Sequence, residues 1–195
     1  MVQTKKGEKT RNHILKTTRV LLMANGFHNT SINDIIRATG VTKVNLYYHF
    51  ASKEEIGLAV LEDVKEEFFQ FLAESFTGDT PCAKVANSCQ AIFEEQKKNN
   101  LVGGCLFGNA ALEMSDSNPH FSEVLLSVFS HWIEEIERYL SQAREEHSLH
   151  LNVSPGKLAK AIVATIEGGI MLSRVTKNQA DLEDCLAVIG AMLDQ

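Results

Sequence analysis

Residues 30–53 constrain the fold more than any other stretch of this chain. They read as two short helices joined by a glycine turn, then the start of a third. Ser31 followed by Asp34 is a capping-box-like helix start, and Ile32, Ile35 and Ile36 form one apolar stripe behind it. Gly40 supplies the backbone freedom for the turn, and Thr42 caps the next helix. That helix turns Leu46 and Phe50 inward and leaves Lys43, Asn45, Tyr47, Tyr48 and His49 outward. So short a helix has too many large polar-tipped groups for packing alone. They suit a helix laid in a DNA groove, with amide and hydroxyl groups for base edges and phosphates.

The charge is divided at the end of this motif. Residues 1–53 hold nine Lys or Arg against Glu8 and Asp34, a net of +7. Residues 54–195 hold ten against twenty-three acids, a net of −13. The overall −6 therefore describes a basic head on an acidic body, which phosphates would repel and so help to orient.

The remainder reads as helix. Proline stands only at positions 81, 119 and 155, all at expected boundaries, and no stretch alternates as a strand would. Helix one is expected from about Lys9 to Asn25, with Ile14, Thr18, Leu21 and Leu22 inward. Helix four starts at Ser52 and runs to about Phe76, far enough to leave the head. Further helices follow over Cys82–Lys98, Leu106–Met114 and from Pro119 through a wide aromatic face, then from Pro155 and from a cap at Asp181. The expected fold is all-α with about nine helices: residues 1–53 as a three-helix head, residues 54–195 as the body. The last helix has two apolar faces, one with Leu182, Leu186, Ile189 and Leu193, the other with Cys185, Val188 and Met192. Two faces require two neighbours, its own body and a second chain.

No apolar run approaches the roughly 20 residues of a membrane span, and no apolar segment follows the N-terminal Lys5-Lys6 as in a signal peptide. With no Cys-x-x-Cys pair, Cys82, Cys89, Cys105 and Cys185 are expected as reduced thiols in cytoplasm. Enzyme signatures are lacking: no Gly-x-Ser-x-Gly, P-loop or His-Glu-x-x-His, and no histidine with Glu three residues before it. His147 and His150, one turn apart near a helix end, are read as solvated. No metal and no cofactor are expected.

The motif resembles the TetR family of bacterial transcription regulators. The resemblance rests on Phe27, Thr30-Ser31, Asp34-Ile35, Gly40-Val41-Thr42, Leu46-Tyr47-Tyr48-His49-Phe50 and Ser52-Lys53-Glu54, over roughly residues 9–64. It departs at Val44 and Asn45, where the family usually has a small residue followed by Ser or Thr. Position by position it implies that Thr42, Tyr47, Tyr48, His49 and Lys53 contact or position phosphates. Lys43, Val44 and Asn45 take the groove-facing places, and Asn33 reaches a base or phosphate. Ser31 stands at a helix start that can hold a phosphate. Asn45 can pair bidentately with adenine and Val44 can touch a thymine methyl.

The resemblance also implies a small-ligand site in the body, expected to be lined by Phe93, Cys105, Phe107, Met114, Phe121, Phe129, Trp132 and Met171. The glycine-flanked segment 103–109 is weakly self-stabilising and suits a movable wall. Gly104-Cys105-Leu106 looks like a branch of the family in which some members sense electrophiles or oxidants. Cys105 is open to two readings, a small apolar core residue or a thiol activated by a helix N-terminus. The dimer contact is expected at Ala161, Thr165, Gly168, Leu182, Leu186 and Ile189. The expectation is a homodimeric, ligand-responsive repressor that binds a near-palindromic duplex operator. The alternative is a helical enzyme or ligand-binding protein with an incidental helix-turn-helix hairpin.

Overall fold

A computed structural model describes residues 5–149 and 152–194, so His150 lies outside the described residues. Among the described residues there are nine helices and no strand: α1 Lys5–Asn25, α2 Ile32–Thr39, α3 Lys43–His49, α4 Lys53–Ser75, α5 Pro81–Lys98, α6 Leu106–Met114, α7 Pro119–Glu145, α8 Pro155–Thr176 and α9 Ala180–Leu193. None of them is long and apolar enough to cross a membrane.

Most helix ends follow local chemistry. Thr80 and Ser154 cap α5 and α8, each with proline in the first turn, where its missing N–H is not needed. The cap expected at Asp181 is not used. Gln179 stands at the start of α9 without a side-chain bond, while Asn178 Oδ1 accepts from the Ala180 N–H at 3.1 Å. The Asp181 carboxylate accepts instead from the Thr176 hydroxyl, so the reach backward displaced the cap. At its start α1 is longer than expected, beginning at Lys5.

The chain forms two compact units, Met1–Glu66 with Leu106–Leu125, and Glu67–Cys105 with Leu126–Gln195. By compactness, then, the head does not stop at residue 53. It takes in the first part of α4, all of α6 and the start of α7. Its core buries Ile14, Leu15 and Leu22 of α1 with Ile35, Leu46 and Phe50, and Ile56, Val60 and Leu61 of α4. Leu21, expected inward, is only half-buried, and Leu15 takes the inner place. Phe27 and Phe121 meet edge to face at 5.1 Å over Gly57, where a Cβ would stand 2.6 Å from the Phe27 ring. Any side chain at Gly57 would displace that ring pair.

The second unit packs α8 on α9 and both on α5. Its core joins Val85, Cys89 and Phe93 to Trp132, Ile136 and Leu140, and to Ala159, Ile162, Ile166, Leu182 and Ile189.

Candidate nucleic-acid interface and ligand-binding unit

Two side-chain caps and one left-handed glycine build the α2–α3 hairpin. The Ser31 hydroxyl accepts the Asp34 N–H at 3.2 Å, and the Asp34 carboxylate accepts the Ser31 N–H at 2.9 Å. Those bonds to Ser31 hold the Asp34 carboxyl below its ordinary value, with Arg37 adding to the effect. Gly40 ends α2 at φ 69°, a conformation that L side chains resist, and donates to the Ile36 carbonyl at 2.9 Å. The Thr42 hydroxyl then accepts the Asn45 N–H at 3.2 Å to open α3. Each cap is worth about 1 kcal/mol.

This geometry aims α3. Leu46 and Phe50 are buried in the head, and Arg11 of α1 lies over the Phe50 ring at 5.2 Å. On the opposite side Val44 is 82% and Tyr48 69% exposed, with Lys43, Asn45 and Tyr47 beside them. Lys43 Nζ lies 6.0 Å from the Tyr47 ring centre. Asn33 and Thr42 are also exposed, so most of the expected contact residues share an open surface.

Three expected contacts are placed otherwise. The Ser31 hydroxyl also donates to Asp34 at 2.6 Å, so it is engaged on both sides and only the backbone N–H groups nearby remain for a phosphate. His49 is half-buried, edge-on to Tyr48 at 5.1 Å, with Nδ1 enclosed and without a partner. Lys53 is half-buried: Nζ donates to the Phe27 carbonyl at 3.0 Å and lies 4.3 Å from that ring's centre. It ties the start of α4 to the loop after α1, which its sequence position did not reveal.

A further tie has no sequence signal. Glu113, near the end of α6, accepts the His28 N–H at 2.8 Å, and its carbonyl meets His28 Nε2 at 3.1 Å. These partners are 85 residues apart. Beside them Leu22, Phe27, Gly57, Leu106, Ala110 and Phe121 help to enclose a cavity of about 10 Å³, which holds one water at most.

The eight residues expected around a ligand are divided between the units. Phe107, Met114 and Phe121 are buried in the first, whereas Phe93, Cys105, Phe129, Trp132 and Met171 belong to the second. Phe121 packs on Phe27 in the head rather than in the body. Phe93 and Trp132 are buried, and Phe129 and Cys105 half-buried. Met171 is 58% exposed, on the outward face of α8 with Ala161, Ala164 and Gly168, and lines nothing inside the chain. Small and apolar residues alike occupied both faces of α8, so spacing alone could not say which turned inward.

The Cys105 thiol hydrogen-bonds to the Glu167 carboxyl on α8, and burial pushes that carboxyl above its ordinary value. Glu167 was not anticipated. Arg174 lies against Gly104, its Cδ 3.4 Å from where a Cβ would stand, while Lys177 Nζ donates to the Leu101 carbonyl at 3.1 Å. Burial pushes the Cys89 thiol up to about 12, and raises Cys82 and Cys185 as well.

Of the expected dimer contacts, Ala161 is exposed, and Thr165, Gly168 and Leu186 are half-buried. Leu182 and Ile189 are not available to a second chain: both are at most 1% exposed, packed in the chain's own core. The face of α9 read as outward is the inward one, and Val188, half exposed, points out instead.

A capped helix-turn-helix with an exposed polar helix defines a DNA-reading class of protein, and comparison with known proteins narrows it. Residues 14–60 match the family described as bacterial regulatory proteins, tetR family, and residues 81–189 match the tetracyclin repressor-like C-terminal domain. The HTH-type transcriptional repressor DhaR of Mycobacterium sp. (strain GP1) is 27% identical over 92% of this chain and 89% of its own length. An HTH-type transcriptional regulator from the lacX 3′ region of Lactococcus lactis subsp. lactis is 30% identical over 89% of this chain and 88% of its own. The crystal structure of a TetR transcriptional regulator from Chloroflexus aurantiacus J-10-FL superposes with a TM-score of 0.90 at 28% identity, over 98% of both chains. The chain belongs to the TetR family. It is therefore a transcriptional regulator with an N-terminal DNA-binding helix-turn-helix and a C-terminal ligand-binding domain, not an enzyme.

Proposed function

We propose that the protein is a cytoplasmic, homodimeric repressor that a small, partly apolar molecule releases from a near-palindromic operator. The observation that carries this reading is the exposed side of α3, set opposite Leu46 by two caps and lying within a basic stretch of chain. Residues 1–53 take the DNA-binding role and residues 54–195 ligand binding and dimerisation, a division by role rather than by compactness. Lys43, Val44, Asn45, Tyr47 and Tyr48 face the major groove and its phosphates, with Asn33, Thr42 and the helix starts holding the backbone. Two copies of α3 would enter grooves one turn apart, about 34–36 Å.

The dimer forms on the outward apolar face of α8 and α9, where Ala161, Gly168, Met171, Leu172, Val175 and Val188 are open or half-open. Ligand binds among Phe93, Cys105, Phe129 and Trp132. The helix α4 belongs to both compact units, so a ligand that shifts it changes the spacing of the two heads. Two linked half-sites lose their shared affinity once that spacing is wrong.

The test is salt dependence. Affinity for a duplex carrying the operator should fall steeply and log-linearly as salt rises, roughly in proportion to the phosphates contacted. Absence of binding to any genomic duplex at low salt would refute the reading.

A further inference from the structure

Glu113, in the last turn of α6, holds a single residue of the loop after α1 by two bonds. Its carboxylate Oε2 accepts the His28 N–H at 2.8 Å, and its backbone carbonyl lies 3.1 Å from His28 Nε2. A carbonyl only accepts, so Nε2 carries the hydrogen. At the same helix end Ser115 and Asn118 answer the carbonyls of Ala111 and Met114, and His28 answers that of Glu113. Gly26 leaves room for the carboxylate: a Cβ there would stand 3.1 Å from Glu113 Cδ.

Loop 26–30 in turn holds the start of the DNA-reading hairpin. Thr30 is fully buried; its hydroxyl donates to the Gly26 carbonyl at 2.7 Å and its N–H to the Phe27 carbonyl at 3.3 Å. It precedes Ser31, the cap of α2, and the Phe27 carbonyl also accepts from Lys53 at the start of α4. One short loop thus joins the ends of α1 and α6 to the starts of α2 and α4, all within the first compact unit.

Packing alone would keep α6 in this unit. Leu106, Phe107, Ala110 and Met114 are buried, and His28 is exposed, so water would answer its N–H at little net cost. Apolar contacts are non-directional and let a helix slide. Two bonds to one residue fix both its position and its orientation.

We propose that Glu113 is a positioning residue for DNA binding: through His28 and loop 26–30 it sets the start of α2. The helix α6 begins where the second unit's segment Glu67–Cys105 ends, so a shift of α6 reaches the hairpin through Glu113 as well as through α4. That use as a release route rests on the ligand-responsive reading above. The positioning role needs only a DNA-binding head.

The experiment uses the full-length protein without ligand, on a genomic duplex that the wild type binds, and compares Glu113→Ala with Glu113→Gln. Both remove one negative charge, and charge alone would tighten binding equally in the two. Only glutamine keeps an acceptor for the His28 N–H. Affinity should therefore be about three- to tenfold lower in Glu113→Ala than in Glu113→Gln, the ratio that one hydrogen bond supplies. Their salt slopes should match, since neither loses a phosphate contact. Both melting temperatures should stay within about 2–4 °C of wild type. In the free protein, amide exchange at His28, Ser31 and Asp34 should quicken in Glu113→Ala and not in Glu113→Gln. Equal affinity of the two variants, or tighter binding by Glu113→Ala, overturns the proposal. So does faster exchange at His28 alone, because the tie then ends in the loop. A larger fall in melting temperature in Glu113→Ala would make the tie a structural one and overturn it too. Failure of the wild type to bind any duplex would refute the function proposed above, and exchange would still decide whether Glu113 sets the start of α2.

Discussion

In the α2–α3 hairpin each turn is closed by a group three or four residues away; the second unit caps α5 and α8 just as locally, but ties its loops to α8 through partners from distant segments. Ser31 and Asp34, Gly40 and Ile36, Thr42 and Asn45 settle the hairpin among themselves. Around α8, by contrast, Cys105 reaches Glu167 and Lys177 reaches back to Leu101. The first region satisfies its capping atoms locally and aims most of its spare polar groups at solvent, His49 Nδ1 being an enclosed exception. Among its described residues the second leaves Glu167 Oε1 and Trp132 Nε1 enclosed and unmatched. A surface that reads a fixed partner such as duplex DNA can be rigid and complete beforehand. A site whose partner comes and goes is completed by the partner.

The comparison breaks first at the dimer. A Cβ at Gly168 would meet nothing within 4 Å, so the root of a side chain there has room within its own chain. Gly168→Phe should leave the helical content unchanged and yield monomers by sedimentation. Operator affinity should drop by about 10²–10⁴, the advantage lost with bivalency, while weak nonspecific DNA binding persists through the intact head. An intact dimer in this variant would move the interface away from α8.

The same contrast decides what the chain disclosed in advance. Capping residues and a turn glycine act over three or four residues, so α2 and α3, the span of α5 to within a residue and the start of α8 were legible. Which way a doubly apolar helix turns depends on partners far along the chain. Leu182 and Val188 both stand on apolar faces of α9, and only packing on α5 and α8 sends Leu182 in and Val188 out. The same holds for Met171. Lys53 looked like a surface cation until the loop after α1, 26 residues earlier, supplied the Phe27 carbonyl. The Glu113–His28 tie that brings α6 into the head is invisible to any local pattern.

At the groove-facing surface the expected effects are smaller and specific. Asn45 is exposed, its N–H held by Thr42. Asn45→Ala should cost about 1–3 kcal/mol at one operator position and little at the others, read by titrating a set of single-base operator variants. Lys53→Ala should behave differently. It removes the bond to Phe27 as well as a cation, so the head should melt lower while affinity falls uniformly across sequences. Unchanged sequence preference in Asn45→Ala would remove that residue from the groove.

The smallest expected effect is at Cys105, because its surroundings give it a binding role rather than a reactive one. It precedes α6, and a helix N-terminus stabilises a nearby anion by only about 0.3–1 kcal/mol at an exposed site, less than a tenfold change in the ionised fraction. Its thiol hydrogen is directed at the Glu167 carboxyl, and negative charge developing there opposes a thiolate rather than favouring one. Arg174 beside Gly104 acts in the opposite sense, so the reagent experiment is a contest between these two neighbours. Cys105→Ser keeps a small polar group that can still donate to Glu167, and operator affinity and release by ligand should both stay within a few-fold of wild type. Stoichiometric maleimide or hypochlorite should likewise leave most of the wild-type complex on DNA in a gel-shift titration. Complete release of the wild type under those conditions, absent from Cys105→Ser, would show that Arg174 prevails and that the thiol itself is the sensor.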